Sequence, residues 1–184
     1  MATATNVTAA KPKVGGAVSV APTGTALPTD TSTALNGAFV NLGYISDAGM
    51  TKNIAPSISE IKAWGGDTVL TATQSRTITY QFSLIEALNL DVMKEVYGSA
   101  NITGAMSTGV TAKVNSVEML DREWVIEMVL RGNVACRIVL PLAHITAIDA
   151  ITYSDSAAVG YNITLTCMPD SNGNSAYEYY KAAS

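Results

Sequence analysis

The chain has 184 residues, 48 % of them hydrophobic and 14 % charged, with a formal net charge of −4 and a pI near 4.9. That length and apolar content suffice for one domain with a real core, while the acidic balance argues against a surface built to bind nucleic acid or an anionic membrane. Residues 1–36 stand apart: they are rich in Ala, Thr, Pro and Gly, and their Lys11, Lys13 and Asp30 give +1, leaving −5 for the rest. An extended N-terminal arm over 1–36 and a folded unit over 37–184 are therefore expected. The opening "MATATNVTAAKPK" lacks a basic head followed by an apolar run, so no signal peptide is expected and the chain is expected to stay in the cytosol.

The folded unit begins near "GAFVNLGYISDAGM". In "TITYQFSL", Ile78, Tyr80, Phe82 and Leu84 alternate with Thr77, Thr79, Gln81 and Ser83, which is the period of a half-buried strand. After Glu86 the period lengthens to that of a helix, with Leu88, Val92 and Val96 on one stripe and Gly98 as the stop, predicting a helix over about 86–97. "GVTAKVNSVE" reads as a strand with Val110, Ala112 and Val114 on one face. Trp124, Ile126, Met128 and Leu130 then alternate, "RGN" turns the chain, and Val134, Cys136, Ile138 and Leu140 return, predicting a β-hairpin. "AHITAIDAITYS" and "VGYNITLTCM" predict two more strands, and "PDSNGN" a turn before the tyrosine-rich "AYEYYK". The fold expected is a mainly β domain, an antiparallel sandwich or half-barrel with one packed helix. Several of its strands are apolar or neutral on both faces, which calls for cover beyond a simple sandwich.

Little catalytic chemistry is on offer. His144 is the only histidine and no GxSxG elbow or HExxH helix accompanies it, so a catalytic role is not expected. Two cysteines and one histidine at wide spacing make no zinc framework, and no metal or cofactor is expected. Cys136 and Cys167 are expected as buried thiols. Glu123 and Glu127 share a strand face, but ~13 Å of strand separates them at ~3.3 Å per residue, wider than the ~5–9.5 Å of glycosidase carboxyl pairs. "NVACRIVLPLAHITAIDAI" is broken by Arg137, Pro141, His144 and Asp149 and is not a membrane span.

The order "LGYISDAGM", "IKAWGGDTV", "TITYQFSLIEALNLDVMKEVYG", "ACRIVLPLAHITAI" resembles the major tail tube subunit of long, non-contractile bacteriophage tails, particularly those of phages of actinobacteria. The resemblance runs from about residue 35 to 168, with "GTALP" in the arm fitting as well. It implies a β-sandwich or half-barrel with one helix, six copies in a ring, and rings stacked into a hollow virion tube that conducts genome DNA. Its implied partners are further copies of the chain, the tape-measure protein, the tail terminator, and the distal tail and tip proteins, with synthesis in the host cytoplasm. DNA would pass without adhering, so acidic channel residues are expected, with Glu60, Glu118, Glu123 and Glu127 as candidates. The segment "GGDTVLTATQSR" is expected as a long loop contacting the next ring through Gly65, Gly66, Asp67, Thr68, Val69 and Leu70, with Val18, Val20 and Leu27 of the arm as further attachments. Two rival classes are a secreted carbohydrate-binding or adhesive β-sandwich, which needs an aromatic platform, and a small hydrolase in which His144 meets a carboxylate and a nucleophile.

Overall fold

The computed structural model describes residues 2–182. Among them are eleven strands and one α-helix. Strands β1 (Ala10–Pro12), β2 (Val18–Pro22) and β3 (Val40–Asn41) precede a long hairpin of β4 (Ile45–Lys62) and β5 (Thr68–Leu84). Helix α1 (Leu90–Tyr97) and a small hairpin of β6 (Ile102–Ala105) and β7 (Gly109–Ala112) follow, then β8 (Arg122–Leu130), β9 (Val134–Ile148), β10 (Tyr161–Cys167) and β11 (Tyr177–Ala182). The main sheet has nine strands in the order β3-β2-β8-β9-β10-β5-β4, with β1 also beside β8 and β11 also beside β9. Its pairings are antiparallel. The sheet does not close into a barrel.

β9 is the branch point of the sheet. Its first half pairs with β11 and its second half with β10, and the change-over falls around Pro141. Proline has no N–H for a ladder, and here none is needed, because the β8–β9 register also shifts between Arg122 and Trp124. "VACRIVLP" and "AHITAI", separate in the sequence reading, are thus one strand. The turn at 131–133 places Gly132 (φ 81°) and Asn133 (φ 59°) in the left-handed region, which a three-residue hairpin loop requires.

We call the side of the sheet that meets α1 the helix face and the opposite side the open face. On the helix face Val18, Val20, Tyr80, Phe82, Leu84, Trp124, Ile126, Leu140, Ile163 and Leu165 join Val92 and Val96 in one core. Phe82 meets Trp124 edge-on at 6.4 Å, and the indole N–H donates to the carbonyl of Ala143 at 3.3 Å. The helix starts at Leu90, later than its periodicity suggests, because the Asn89 side chain accepts from the Asp91 N–H (3.0 Å) and caps it. Glu86 lies outside the helix and accepts instead from the Tyr44 N–H at 2.9 Å. Gly43 (φ 77°) passes so close to that carboxylate that a Cβ would collide with it. Leu88, expected on the buried stripe, is 77 % exposed. The expected strand at "GVTAKVNSVE" ends at Ala112, and Val114 stands exposed.

On the open face of β8 and β9, the chain covers itself. Residues 23–36 cross it as a strap, anchored where the Gly24 N–H donates to Glu123 (2.7 Å) and where Arg137 donates to the carbonyls of Asp30 (2.7 Å) and Thr33 (2.8 Å). Val125 and Val139, paired across β8 and β9 between these anchors, are buried. This cis cover is why those strands are apolar on both faces. The arm's Val18 and Val20, expected as attachments to another ring, lie in β2 inside the protomer's own core at 0 % and 3 % exposure. Cys136 and Cys167 are free, buried thiols, and burial pushes Cys167 up to about 12.

Candidate assembly surfaces

The β4–β5 hairpin leaves the body of the protein. Met50 and Phe82 still face the core, but from Thr51 to Thr77 every residue except Ser59 is exposed. The expected loop over 65–76 is therefore a strand from Thr68 onward, and the connection shrinks to 63–67. There the Ala63 N–H donates to the Asp67 carbonyl (2.8 Å), and Gly65 (φ 121°) and Gly66 (φ 101°) supply the reversed backbone. Trp64 stands wholly in solvent at the tip, flanked by exposed Val69 and Leu70.

Register fixes the two faces of this hairpin. Ile54 pairs with Ile78, Pro56 with Arg76, Ile58 with Thr73 and Glu60 with Thr71, all continuing the helix face. Ala55 with Thr77, Ser57 with Ser75, Ser59 with Ala72 and Ile61 with Leu70 continue the open face. Single-residue bulges in β5 keep these alternations in phase with the body. β4 pairs only with β5, so its 18 residues present an unpaired edge. Pro56 is at home on such an edge, where the ladder does not need its N–H. An exposed, long edge carrying Ile54, Ile58 and Ile61 is a template for pairing with another chain.

The root of the hairpin is fixed electrostatically on the helix face. Lys52 donates to Glu178 of β11 at 2.6 Å, and Tyr80 and Tyr180 donate to the same carboxylate at 3.3 and 2.7 Å. Burial, reinforced by Glu178, pushes the Tyr80 phenol well above its ordinary value, so it stays a donor. This cluster ties the edge strand β4 to β11, the branch that pairs with the first half of β9. The tail tyrosines likewise serve the fold: Tyr177 donates to Asp170 at 2.6 Å within the preceding turn.

The four candidate channel glutamates occupy four different settings. Glu60 is exposed on the helix face of the hairpin, 4.0 Å from Lys62, and Glu118 is exposed in the irregular segment after β7. Glu123 is 4 % exposed beneath the strap; burial raises its carboxyl, and its Oε2 has no hydrogen-bond partner. Glu127 accepts from Arg137 (2.6 Å) and Lys13 (2.8 Å), which outweigh burial and hold it below its ordinary value. Burial thus removes Glu123 from the protomer surface and leaves Glu127 partly exposed within its ion pairs. Of the inter-ring candidates, Gly65, Gly66 and Asp67 form the turn, Thr68, Val69 and Leu70 open β5, and Leu27 is half-buried in the strap.

His144 pairs with Asp121 at 3.1 Å on the open face. The nearby Thr146 hydroxyl is engaged with Thr164 and Thr166, not with the imidazole. Among the described residues no three His, Cys, Asp or Glu side chains group as a metal site. A second exposed apolar set, Met106, Val114, Val117 and Leu120, lies along 106–121.

The chain is thus an antiparallel β-protein with a core covered in cis and a hairpin exposed on both faces, an architecture with structural rather than pocket-like features. The chain belongs to the phage tail tube protein family, whose model matches residues 4–183. It is accordingly a structural component of a virion tail. Among solved structures it is similar to the anti-feeding prophage cap, a tube-terminating cap determined by cryo-electron microscopy, at 12 % identity over 94 % of this chain and 93 % of that chain, with a TM-score of 0.46. No curated protein matches it. No helix among the described residues is long and apolar enough to cross a membrane.

Proposed function

We propose that the chain self-assembles head-to-tail into six-membered rings that stack as the hollow tail tube and conduct genome DNA during ejection. One observation carries this reading: the unpaired edge of β4, on a hairpin exposed on both faces, which a neighbour's sheet would extend. A heterologous contact of that kind closes into rings or grows into filaments, whereas an isologous one would stop at a dimer. The hairpin tip, Trp64 to Leu70, lies at the exposed end of this hairpin, which supports reading it as a contact to the next ring. Within residues 1–36, β1, β2 and the strap are built into the protomer, and the stretch before β1 is the part we read as available for inter-ring contact. The tape-measure protein would occupy the growing channel, and terminator and distal tip proteins its ends. Assembly takes place in the host cytoplasm, and the protein acts as a scaffold with no catalytic step.

Electron microscopy and light scattering across concentration and salt test this. Hollow filaments or rings with six-fold averages are expected. A particle that stays monomeric at every concentration, with tail-tip components added as nucleus, overturns the proposal.

A further inference from the structure

The sheet forks around Pro141. Before it, β9 pairs with β11 through Val134–Val139; after it, β9 pairs with β10 through Ala143–Ile148, and β10 carries β5 and β4. The hairpin thus hangs on one branch of the fork while β11 belongs to the other. Its backbone support is short, because β10 holds β5 only from Ile78 to Leu84, and beyond that the two hairpin strands pair with each other alone. Among the described residues, no side-chain hydrogen bond or ion pair joins residues 53–77 to the body.

One cluster spans the fork at the point where that support ends. Lys52 and Tyr80 are cross-strand partners on the helix face, one same-face pair before Ile54 and Ile78. Both reach the same carboxylate oxygen of Glu178 in β11: the Lys52 ammonium donates at 2.6 Å and the Tyr80 hydroxyl at 3.3 Å, with the ammonium 5.9 Å from the centre of the Tyr80 ring. Tyr180 donates to the other oxygen at 2.7 Å. Burial opposes the charge on Glu178, but Lys52 and the two phenols outweigh it and hold the carboxyl below its ordinary value.

Leverage gives this small cluster its weight. The ten residues from Lys52 to Lys62 span ~33 Å of ribbon at ~3.3 Å per residue. A swing of ~10° at the root displaces the far end by ~6 Å, more than the ~4.8 Å between neighbouring strands. A ribbon that swings so far does not hold its edge in register against another chain.

Resting on the tube assignment, we propose that Lys52, Tyr80 and Glu178 are positioning residues: their contact across the fork sets the angle at which the hairpin leaves the body, and so presents the edge of β4 to the next copy in one orientation. Lys52 and Glu178 are partly open to water, so their pairing adds little to the stability of the protomer. Its effect is on direction.

The test reads that direction in the free protomer. Spin labels at Asp67→Cys on the hairpin tip and Ser171→Cys in the turn before β11, both exposed sites, report their separation by pulsed electron paramagnetic resonance; the native Cys136 and Cys167 are buried and do not compete. A single narrow distance distribution is expected with Lys52 and Glu178 intact. Lys52→Met, which keeps the stem and deletes the charge, and Glu178→Gln are expected to broaden it by ~6 Å or more while moving the thermal midpoint by no more than about 2–4 °C. Lys52→Arg, which retains the cation, is expected to keep it narrow. A broad distribution in the unsubstituted protein, or a narrow one in both Lys52→Met and Glu178→Gln, overturns the proposal. Filament growth then reads the consequence: the concentration that Lys52→Met needs should rise about tenfold, with Lys52→Arg close to wild type. Normal growth of Lys52→Met despite a broadened distribution overturns the role in presenting the edge. Failure of the wild type to form filaments under any condition counts against the tube assignment instead, and the distance measurement still decides whether the root is pinned.

Discussion

The body and the β4–β5 hairpin use the same antiparallel ladder to opposite ends. In the body, Trp124, Leu140 and Val18 are at or below 1 % exposure, and even the second face of β8 and β9 is covered by the chain's own strap. In the hairpin the ladder continues from Met50 to Lys62, yet Ile54, Ile58 and Trp64 remain 47, 59 and 107 % exposed. A two-stranded ribbon without a covered face is marginal in water. The body therefore carries the fold's covered core, and the hairpin is left uncovered in the single chain. Their difference lies in cover, not in secondary structure.

The sharpest way to break this contrast is a pair of tryptophan deletions. Trp124→Ala removes the centre of the core and its bond to Ala143, and is expected to cost about 3–5 kcal/mol, seen as a large drop in the thermal midpoint. Trp64→Ala removes a side chain that touches little within the protomer, and is expected to stay within about 0.5 kcal/mol of wild type. Equal losses from the two in calorimetry would show that the hairpin belongs to the folding unit after all.

The strap supplies the next effect in size. Arg137→Ala leaves Glu127 partly buried with Lys13 as its remaining cation and removes two donors to the strap, so about 2–3 kcal/mol is expected, with faster proteolysis within 23–36. Acid titration separates the two glutamates beneath it. Glu127, held low in the fold, contributes stability above the ordinary carboxyl value of 4.5 that is lost as pH falls through its lower folded value. Glu123, raised by burial, contributes stability below 4.5 that is lost as pH rises through its higher folded value. Glu127→Gln should then destabilise at pH 7 and flatten the acid limb of a stability curve. Glu123→Gln should be neutral or stabilising at pH 7. A reversed order of the two variants would mean that the strap does not bury them as described.

What the sequence disclosed follows the same division. The inner half of β5, α1 and the β8–β9 turn were legible because burial on one face imposes a period, and Gly98 and "RGN" mark ends by local chemistry, whereas the Asn89 cap that sets the start of α1 was not read. β4 was not read as one long strand. Its apolar residues have no in-chain core to face, so Ile54, Ile58 and Ile61 follow no strict alternation, and Gly49 and Pro56 resemble breakers although an edge strand tolerates both. Thr68–Arg76 passed for a loop for the same reason. Pro141 concealed the continuity of β9, because only tertiary pairing shows that no N–H is needed there. The burial of Glu123 and the partial burial of Glu127 were equally hidden: alternation puts them on a face opposite the core, and the strap that covers that face is 90 or more residues away in sequence.

The smallest expected effect on the protomer is the most informative for assembly. Ile54 and Ile58 share the helix face of the hairpin four residues apart, and neither is covered in the single chain. The double variant Ile54→Thr, Ile58→Thr keeps β-branched side chains suited to a strand, so the ladder should persist and the thermal midpoint should move by less than about 1 °C. In an assembly that buries both side chains, each exchange removes part of the ~1.5–3 kcal/mol that burying an isoleucine contributes. The concentration needed to form filaments should then rise by about tenfold or more, since ~1.4 kcal/mol is a factor of ten. Unchanged stability with impaired filament growth would place these isoleucines at the contact between copies. Unchanged stability with normal growth would leave the helix face of the hairpin in solvent and restrict the contact to the edge of β4. A loss of stability in the free protomer would join the hairpin to the folding unit and dissolve the contrast between the two regions.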